Sequence, residues 1–331
     1  MIHIDGSIGG GQILRTSLSL SALTKKSFKI INIRNKRPNP GLQNQHLTAV
    51  NAVSKICHAE VKGNILHSQE LEFIPSKVVS SDYKFDIGTA GSTTLVLQTL
   101  LPPLLFSQNK SHIEIIGGTA NPLAPPALDI KEVFLKVLEK LGVDIELELV
   151  KEGFYPKGGG NIKVVINPVK NLKNFNFSSV NSKEISLFAV SSHSLKDRDI
   201  CKRLIKGFKA NFPIDYRITF HESYIPSLNP GCYIHANISN QIGMSVLGEK
   251  SLTSEDVGKD CALKLIKEIS SSSTFDIFTS DQLLIYLGIC GSGSFKVSDV
   301  SDHMKSNIEV IEKFLDVKFN VEDNVIKCRK L

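Results

Sequence analysis

Apolar and polar positions along the chain change period in a recurring order. Ile2 and Ile4 alternate with polar residues, which predicts a short strand. From Gln12 the spacing turns helical, with Ile13, Leu14, Leu18 and Ala22 on one face. A strand over 27–34, a helix over 45–57 and a hairpin with arms at Glu60-Val61 and 71–73 follow. A second round begins with a strand at Tyr83 and a helix over 94–104. It continues with a strand over 112–116, a helix over 128–141 and a hairpin of 143–150 with 161–166. A third round closes the chain: a helix over 280–287, a strand over 293–297, a helix over 307–315, and a hairpin of 317–321 with 325–329. Each round reads strand-helix-strand-helix-strand-strand at a period of roughly 80 to 90 residues, too long for a solenoid coil.

The third round is interrupted. The Asn- and Ser-rich stretch 171–182 and the serine run 270–274 read as linkers. Between them the pattern predicts strands at 185–190, 216–220 and 231–238 and helices at 198–208 and 254–269. The expected fold class is therefore α/β (α+β): a large domain of three βαβαββ units, 1–178 with 275–331, and a small α+β domain, 179–274, inserted in the third.

Composition narrows the class. The chain has 331 residues, 41% of them hydrophobic and none tryptophan, enough for a sizeable core. The net charge of +6 is compatible with an anionic partner such as a nucleotide or nucleic acid. The six cysteines stand apart, with no Cys-x-x-Cys spacing, and predict free thiols in a reducing, cytoplasmic setting. Neither a signal peptide nor a membrane span is expected.

Candidate chemistry sits at the element boundaries. Gly9, Gly10 and Gly11 lie where the first strand gives way to a helix, and Arg15 stands on its first turn. Glycines admit a ligand close to the backbone, and free N–H groups at a helix start favour an anion. The loop is neither a P-loop nor a dinucleotide fingerprint, and a plain strand-to-helix turn explains it equally. Arg34, Lys36 and Arg37, held by Pro38 and Pro40, suit a phosphate or RNA backbone, or a solvated basic turn. Ser306 with Glu309 forms a capping box that predicts a helix start at Asn307, with His303 in the loop before it. A histidine there can attack phosphorus or act as a base, or merely pack.

Taken in order, these strings resemble the RNA 3'-terminal phosphate cyclase family almost end to end. The matching stretches are GGGQILRTSLSLS (9–21), the Arg34/Arg37 segment with PGLQNQHLTAV (40–50), and GTAGSTTLVLQTLLP (88–102). They continue with GGTANPLAPP (117–126), FYPKGGG (154–160), LGEK (247–250), SDQLLIYLG (280–288) and DHMKSNIEVIEKFL (302–315). The resemblance implies three βαβαββ units with a small insert. It also implies ATP-dependent conversion of an RNA 3'-phosphate to a 2',3'-cyclic phosphate, with His303 as the nucleophile that becomes adenylylated. By motif position, Arg15, Arg34 and Arg37 would hold phosphates, and Gln45 and His46 would line the same site. Gln98, Pro125, Phe278 and Asp281 would surround the adenosine. ATP, Mg²⁺ or Mn²⁺, and RNA ending in a 3'-phosphate are the implied ligands, and the oligomeric state is left open, a homodimer included.

Two departures stand out. The family loop usually reads D-G-S-x-G-E-G-G-G-Q, whereas residues 5–12 are two residues shorter and lack the glutamate, which in the family serves the nucleotide-metal end of the site. Ala120 stands where an aspartate is common. The lost glutamate favours a non-catalytic cyclase-like RNA-processing factor, while the retained His303 favours an enzyme. Enolpyruvyl transferases use similar units, but six of them, for which this chain is short.

Overall fold

The computed structural model describes residues 1–7 and 10–331; Ile8 and Gly9 of the glycine loop lie outside the described residues. β1 (Ile2–Asp5) leads through α1 (Gly11–Thr24) to β2 (Phe28–Ile31), which lies parallel to it. α2 (Asn44–Cys57) then precedes the hairpin of β3 (Glu60–Lys62) and β4 (Leu71–Ile74), giving a sheet ordered β1-β2-β4-β3. A helix between two parallel strands is the usual crossover, because parallel neighbours cannot be joined by a tight turn.

The next segment repeats this order. β5 (Asp82–Asp86), α3 (Thr93–Leu105) and β6 (Ser111–Gly117) come first. A helical stretch follows, made of α4 (Ala127–Asp129), a π turn (Ile130–Phe134) and α5 (Leu135–Lys140). β7 (Asp144–Lys151) and β8 (Gly160–Asn167) complete a sheet ordered β5-β6-β8-β7.

β9 is the two-residue strand Phe175–Asn176. The Asn-rich stretch read as a linker therefore contains a strand. Its signal is side-chain packing rather than periodicity: Phe175 and Phe177 join Phe275 and Phe295 in one aromatic cluster, with centroids 5.0–6.2 Å apart. After β9 come β10 (Glu184–Ser192), α6 (Ile200–Asn211), β11 (Arg217–Ile225), β12 (Cys232–Ile238), β13 (Ile242–Leu247) and α7 (Ser254–Ser270). Their strands form a sheet of their own, ordered β11-β10-β12-β13, with a separate core that includes Leu187, Leu204, Phe208, Ile234 and Leu265. α8 (Ile277–Cys290), β14 (Ser292–Lys296), α9 (Asp302–Phe314), β15 (Val317–Glu322) and β16 (Val325–Lys330) then finish a sheet ordered β15-β16-β14-β9.

The main core gathers the helices of the three like-ordered sheets. α1 packs against α3 and α9, and α8 packs against α9. α1 and α3 are buried almost all round because neighbours cover them on several sides. Their buried hydroxyls are satisfied locally or across the helix pair: Ser17 Oγ donates to the Ile13 carbonyl, and Ser19 Oγ to that of Thr99 at 2.7 Å. No helix among the described residues is long and apolar enough to cross a membrane, and the six cysteines are free.

In the 184–270 region α6 and α7 cross almost backbone to backbone. A Cβ on Gly207 would lie 2.0 Å from the Glu255 carbonyl oxygen, and one on Gly258 would lie 2.1 Å from that of Leu204. Arg203 clamps the crossing with a two-pronged pair to Glu255. Gly207→Ala is therefore expected to lower stability by about 2–3 kcal/mol, read by urea unfolding, because backbone cannot yield as a side chain can. An unchanged midpoint would show that the helices slide apart freely.

Candidate functional site

Two loops at strand ends and one helix start meet in a cleft of about 240 Å³ lined by Ser7, Gly10, Arg34, Lys36, Arg37, Asp302 and His303. Ser7 and Gly10 follow β1, the three cations follow β2, and Asp302 and His303 open α9. In sheets with parallel neighbours, such ends are where crevices form.

His303 is placed by the cap of α9. Ser301 is the N-cap and accepts a hydrogen bond from the Met304 N–H at 3.1 Å. The helix thus begins at Asp302 rather than Asn307, and His303 stands on its first turn instead of in the loop before it. Ser306, read as a cap, donates instead to the carbonyls of Asp302 and His303. The first serine prevails because Met304, Ile308 and Ile311 extend one buried stripe back to it. His303 is exposed, as an attacking group must be.

Beneath it, Asn307 is buried one turn on and ties three helices together. Its Oδ1 accepts from Thr16 Oγ1 of α1 at 2.6 Å, and its Nδ2 donates to the carbonyl and Oδ1 of Asp281 on α8 at 3.3 and 3.4 Å. Burial pushes the Asp281 carboxyl up, while the nearby charges of His303 and Arg15 and the Asn307 amide pull it down. Arg15 donates to Gln12 Oε1 at 2.6 Å, and burial brings its guanidinium down to about 10 despite Asp281. Arg15, Asp281 and His303 thus lie within Coulombic reach of one another. Thr16 and Asn307 were missed by sequence reasoning. The signal was present in part, since His303 and Asn307 stand four apart and share a helix face once the start is moved.

The glycine loop ends against three site residues. Gly10 has a φ of 59°, and a Cβ there would sit 3.2 Å from Arg37 Nη2. At Gly11 a Cβ would meet His46 Nε2 at 2.5 Å and Arg15 Nη1 at 3.0 Å. Only glycine lets these side chains approach the start of α1. His46 Nδ1 accepts the Gln43 backbone N–H at 3.2 Å, closing a capping box on α2. Burial, then Arg15 and Arg34, bring the His46 imidazole down to about 3, so it is neutral and carries its proton on Nε2. Gln45 accepts from the Ser92 N–H at 3.0 Å, joining this corner to the cap of α3.

Arg34 departs from a free phosphate ligand. One of its guanidinium nitrogens already donates to the Asn39 and Gly41 carbonyls at 2.7 and 2.8 Å, so it also shapes the loop that displays Lys36 and Arg37.

The residue after Asp281 links α8 to α3. Gln98 of α3 donates to Gln282, the residue after Asp281. One turn back on α3, Thr94 Oγ1 donates to the Pro125 carbonyl at 2.8 Å. One turn back on α8 lies Phe278, 60% exposed. These bonds tie α3 to α8 and to the 118–126 loop, and the Phe278 ring stands open to solvent beside them. α8 is seated by its N-cap Asp276, which accepts from the Phe278 and Thr279 N–H groups and from the Gly243 N–H of β13 at 2.9 Å.

The sequence profile described as RNA 3'-terminal phosphate cyclase matches residues 7–321. Proteins named RNA 3'-terminal phosphate cyclase are similar from end to end. That of Sulfolobus acidocaldarius is 41% identical, with 97% of each chain covered. That of Sulfurisphaera tokodaii is 42% identical over 97% of this chain and 96% of its own. That of Pyrococcus abyssi is 38% identical over 100% and 98%. Among solved structures, the enolpyruvyl transferase NikO of Streptomyces tendae covers 99% of this chain and 82% of its own at 9% identity. Its TM-score of 0.30 carries no argument.

Proposed function

The chain belongs to the RNA 3'-terminal phosphate cyclase family, and from that premise we propose that it is the ATP-dependent enzyme rather than a binding-only relative. The observation that carries this reading is the exposed His303 facing Arg34, Lys36 and Arg37 across one small cleft. A nucleophile opposite a cluster of phosphate-binding cations is the arrangement that nucleotidyl transfer needs.

In the proposed reaction an imidazole nitrogen of His303 bonds to the α-phosphorus of ATP as the bond to the β-phosphate breaks, releasing pyrophosphate. An oxygen of the RNA 3'-phosphate then attacks the same phosphorus, the N–P bond breaks, and the adenylyl group sits on the RNA end. The neighbouring 2'-hydroxyl attacks the activated 3'-phosphorus, loses its proton to solvent, and AMP departs with the bonding pair. The covalent step supplies the leaving group that a bare phosphate lacks. Asp281, steadied by Asn307, would hold Arg15 and the cationic form of His303 in register. Pro125 and Phe278 would flank the adenine while Gln98 and Gln282 border it. Mg²⁺ or Mn²⁺ would arrive on the phosphates of ATP, as part of the substrate. The macromolecular substrate of this chemistry is RNA ending in a 3'-phosphate.

An RNA oligonucleotide carrying a radiolabelled 3'-phosphate tests the reading. With ATP, the label is expected to become resistant to phosphatase. Label that stays sensitive while the RNA still binds would move the protein to the binding-only class.

A further inference from the structure

The cleft beside His303 holds three cations against one carboxylate, Asp302, which Lys305 pairs at 3.3 Å. Among the described residues, no three His, Cys, Asp or Glu side chains gather where they could hold a metal ion. Asp5, at the end of β1, has its Oδ1 engaged by the Ser7 N–H at 3.0 Å and the Asn32 amide at 3.2 Å. Between Asp5 and Gln12 the sequence contains no acidic residue. This donor set does not fit a divalent cation held by the protein, since such ions need several oxygen ligands, carboxylates foremost.

What the set fits is phosphate. Arg34 is partly committed to its own loop, and Arg37 lies against Gly10. Lys36 lines the cleft and makes no ion pair within 4.0 Å among the described residues, although its charge is felt at Asp5. A compact ammonium on a flexible stem is a point charge that can settle on any phosphate oxygen. We propose that Lys36, beside Arg37, supplies at the nucleotide's phosphates the positive charge that a divalent ion otherwise brings. Free ATP is then bound about as well as its metal complex. The inference rests on the ATP reading above and deepens it, by making Lys36 the residue that sets metal dependence of binding.

Calorimetric titration with α,β-methylene ATP, which cannot release pyrophosphate, tests it in EDTA and in excess Mg²⁺. Wild type is expected to bind in both, with Kd values within about threefold. Lys36→Ala is expected to weaken binding roughly tenfold in EDTA, the loss of one charge-assisted contact, and less than about threefold in Mg²⁺. Lys36→Arg is expected to restore binding in EDTA. Wild-type binding that vanishes in EDTA overturns the inference and leaves the ATP reading standing. So does a Lys36→Ala variant that loses equally in both conditions or in neither. Wild type that binds no nucleotide in either condition overturns the ATP reading, and this inference with it.

Discussion

His303→Ala is expected to take up no label from α-labelled ATP under conditions where the wild type becomes covalently tagged. Its cyclisation of RNA 3'-phosphate ends is expected to fall by at least about 10³-fold, because the imidazole lining the cleft is lost. The other groups there are Ser7, Arg34, Lys36, Arg37 and Asp302, and the cations have no lone pair to offer at neutral pH. The wild-type tag should be labile to acid and stable to alkali, as a phosphoramidate is and a phosphoester on Ser7 is not. Because His303 is exposed, its removal should leave the unfolding midpoint nearly unchanged, which separates lost chemistry from lost structure. A variant labelled as well as wild type would end the histidine-adenylate reading.

The second large effect is on the acid limb of stability. His46 is neutral in the fold, its imidazole held down to about 3 by burial and by Arg15 and Arg34. In the unfolded chain it titrates near 6.5. Between those values the unfolded state binds the extra proton, so this residue's contribution is fully present above pH 6.5 and is lost as pH falls toward 3. At pH 4 the loss attributable to it is about 3 kcal/mol. His46→Gln, whose amide oxygen can still accept the Gln43 N–H, is expected to be less stable at pH 7 but to narrow or reverse that gap at pH 4. Asp276 acts in the opposite sense. Burial and the neighbouring Asp129 push its carboxyl up to about 7, so its effect on stability worsens as pH rises from the ordinary carboxylate range to 7. The quantity to read is therefore the difference between wild type and variant across pH, from urea unfolding. A difference that stays flat from pH 7 to 4 would show that His46 takes up its proton in the fold as readily as in the unfolded chain.

Lys36 and His46 also show how unevenly the site was legible. Both stand in segments that the sequence marks, yet one has its side chain open to the cleft and the other is buried behind it. Motif position brought Arg15, Asp281 and His303 onto one list, and the fold brings them into Coulombic reach. Gln98 and Pro125 stand 27 residues apart, and only the tertiary fold ties α3 both to the 118–126 loop and to Gln282.

What the sequence determined by itself is the alternation of strands and helices, because that rests on each segment's own period: two for Ile2 and Ile4, near 3.6 for Ile13, Leu14 and Leu18. The cationic turn at 34–37 was legible for the same reason, as a local run of residue type, whereas His303 was marked by its place near a helix start and by the motif around it. Tertiary structure decided the rest. The start of α9 moved to Asp302 because its apolar stripe packs onto the core that far back. Phe175–Asn176 became a strand because Gly293 and Ser294 lie beside it. The bond from Thr16 to Asn307 joins residues 291 apart. No local period encodes such a pair; it exists only because α1, α8 and α9 bury their shared face together and their polar atoms must then find partners there.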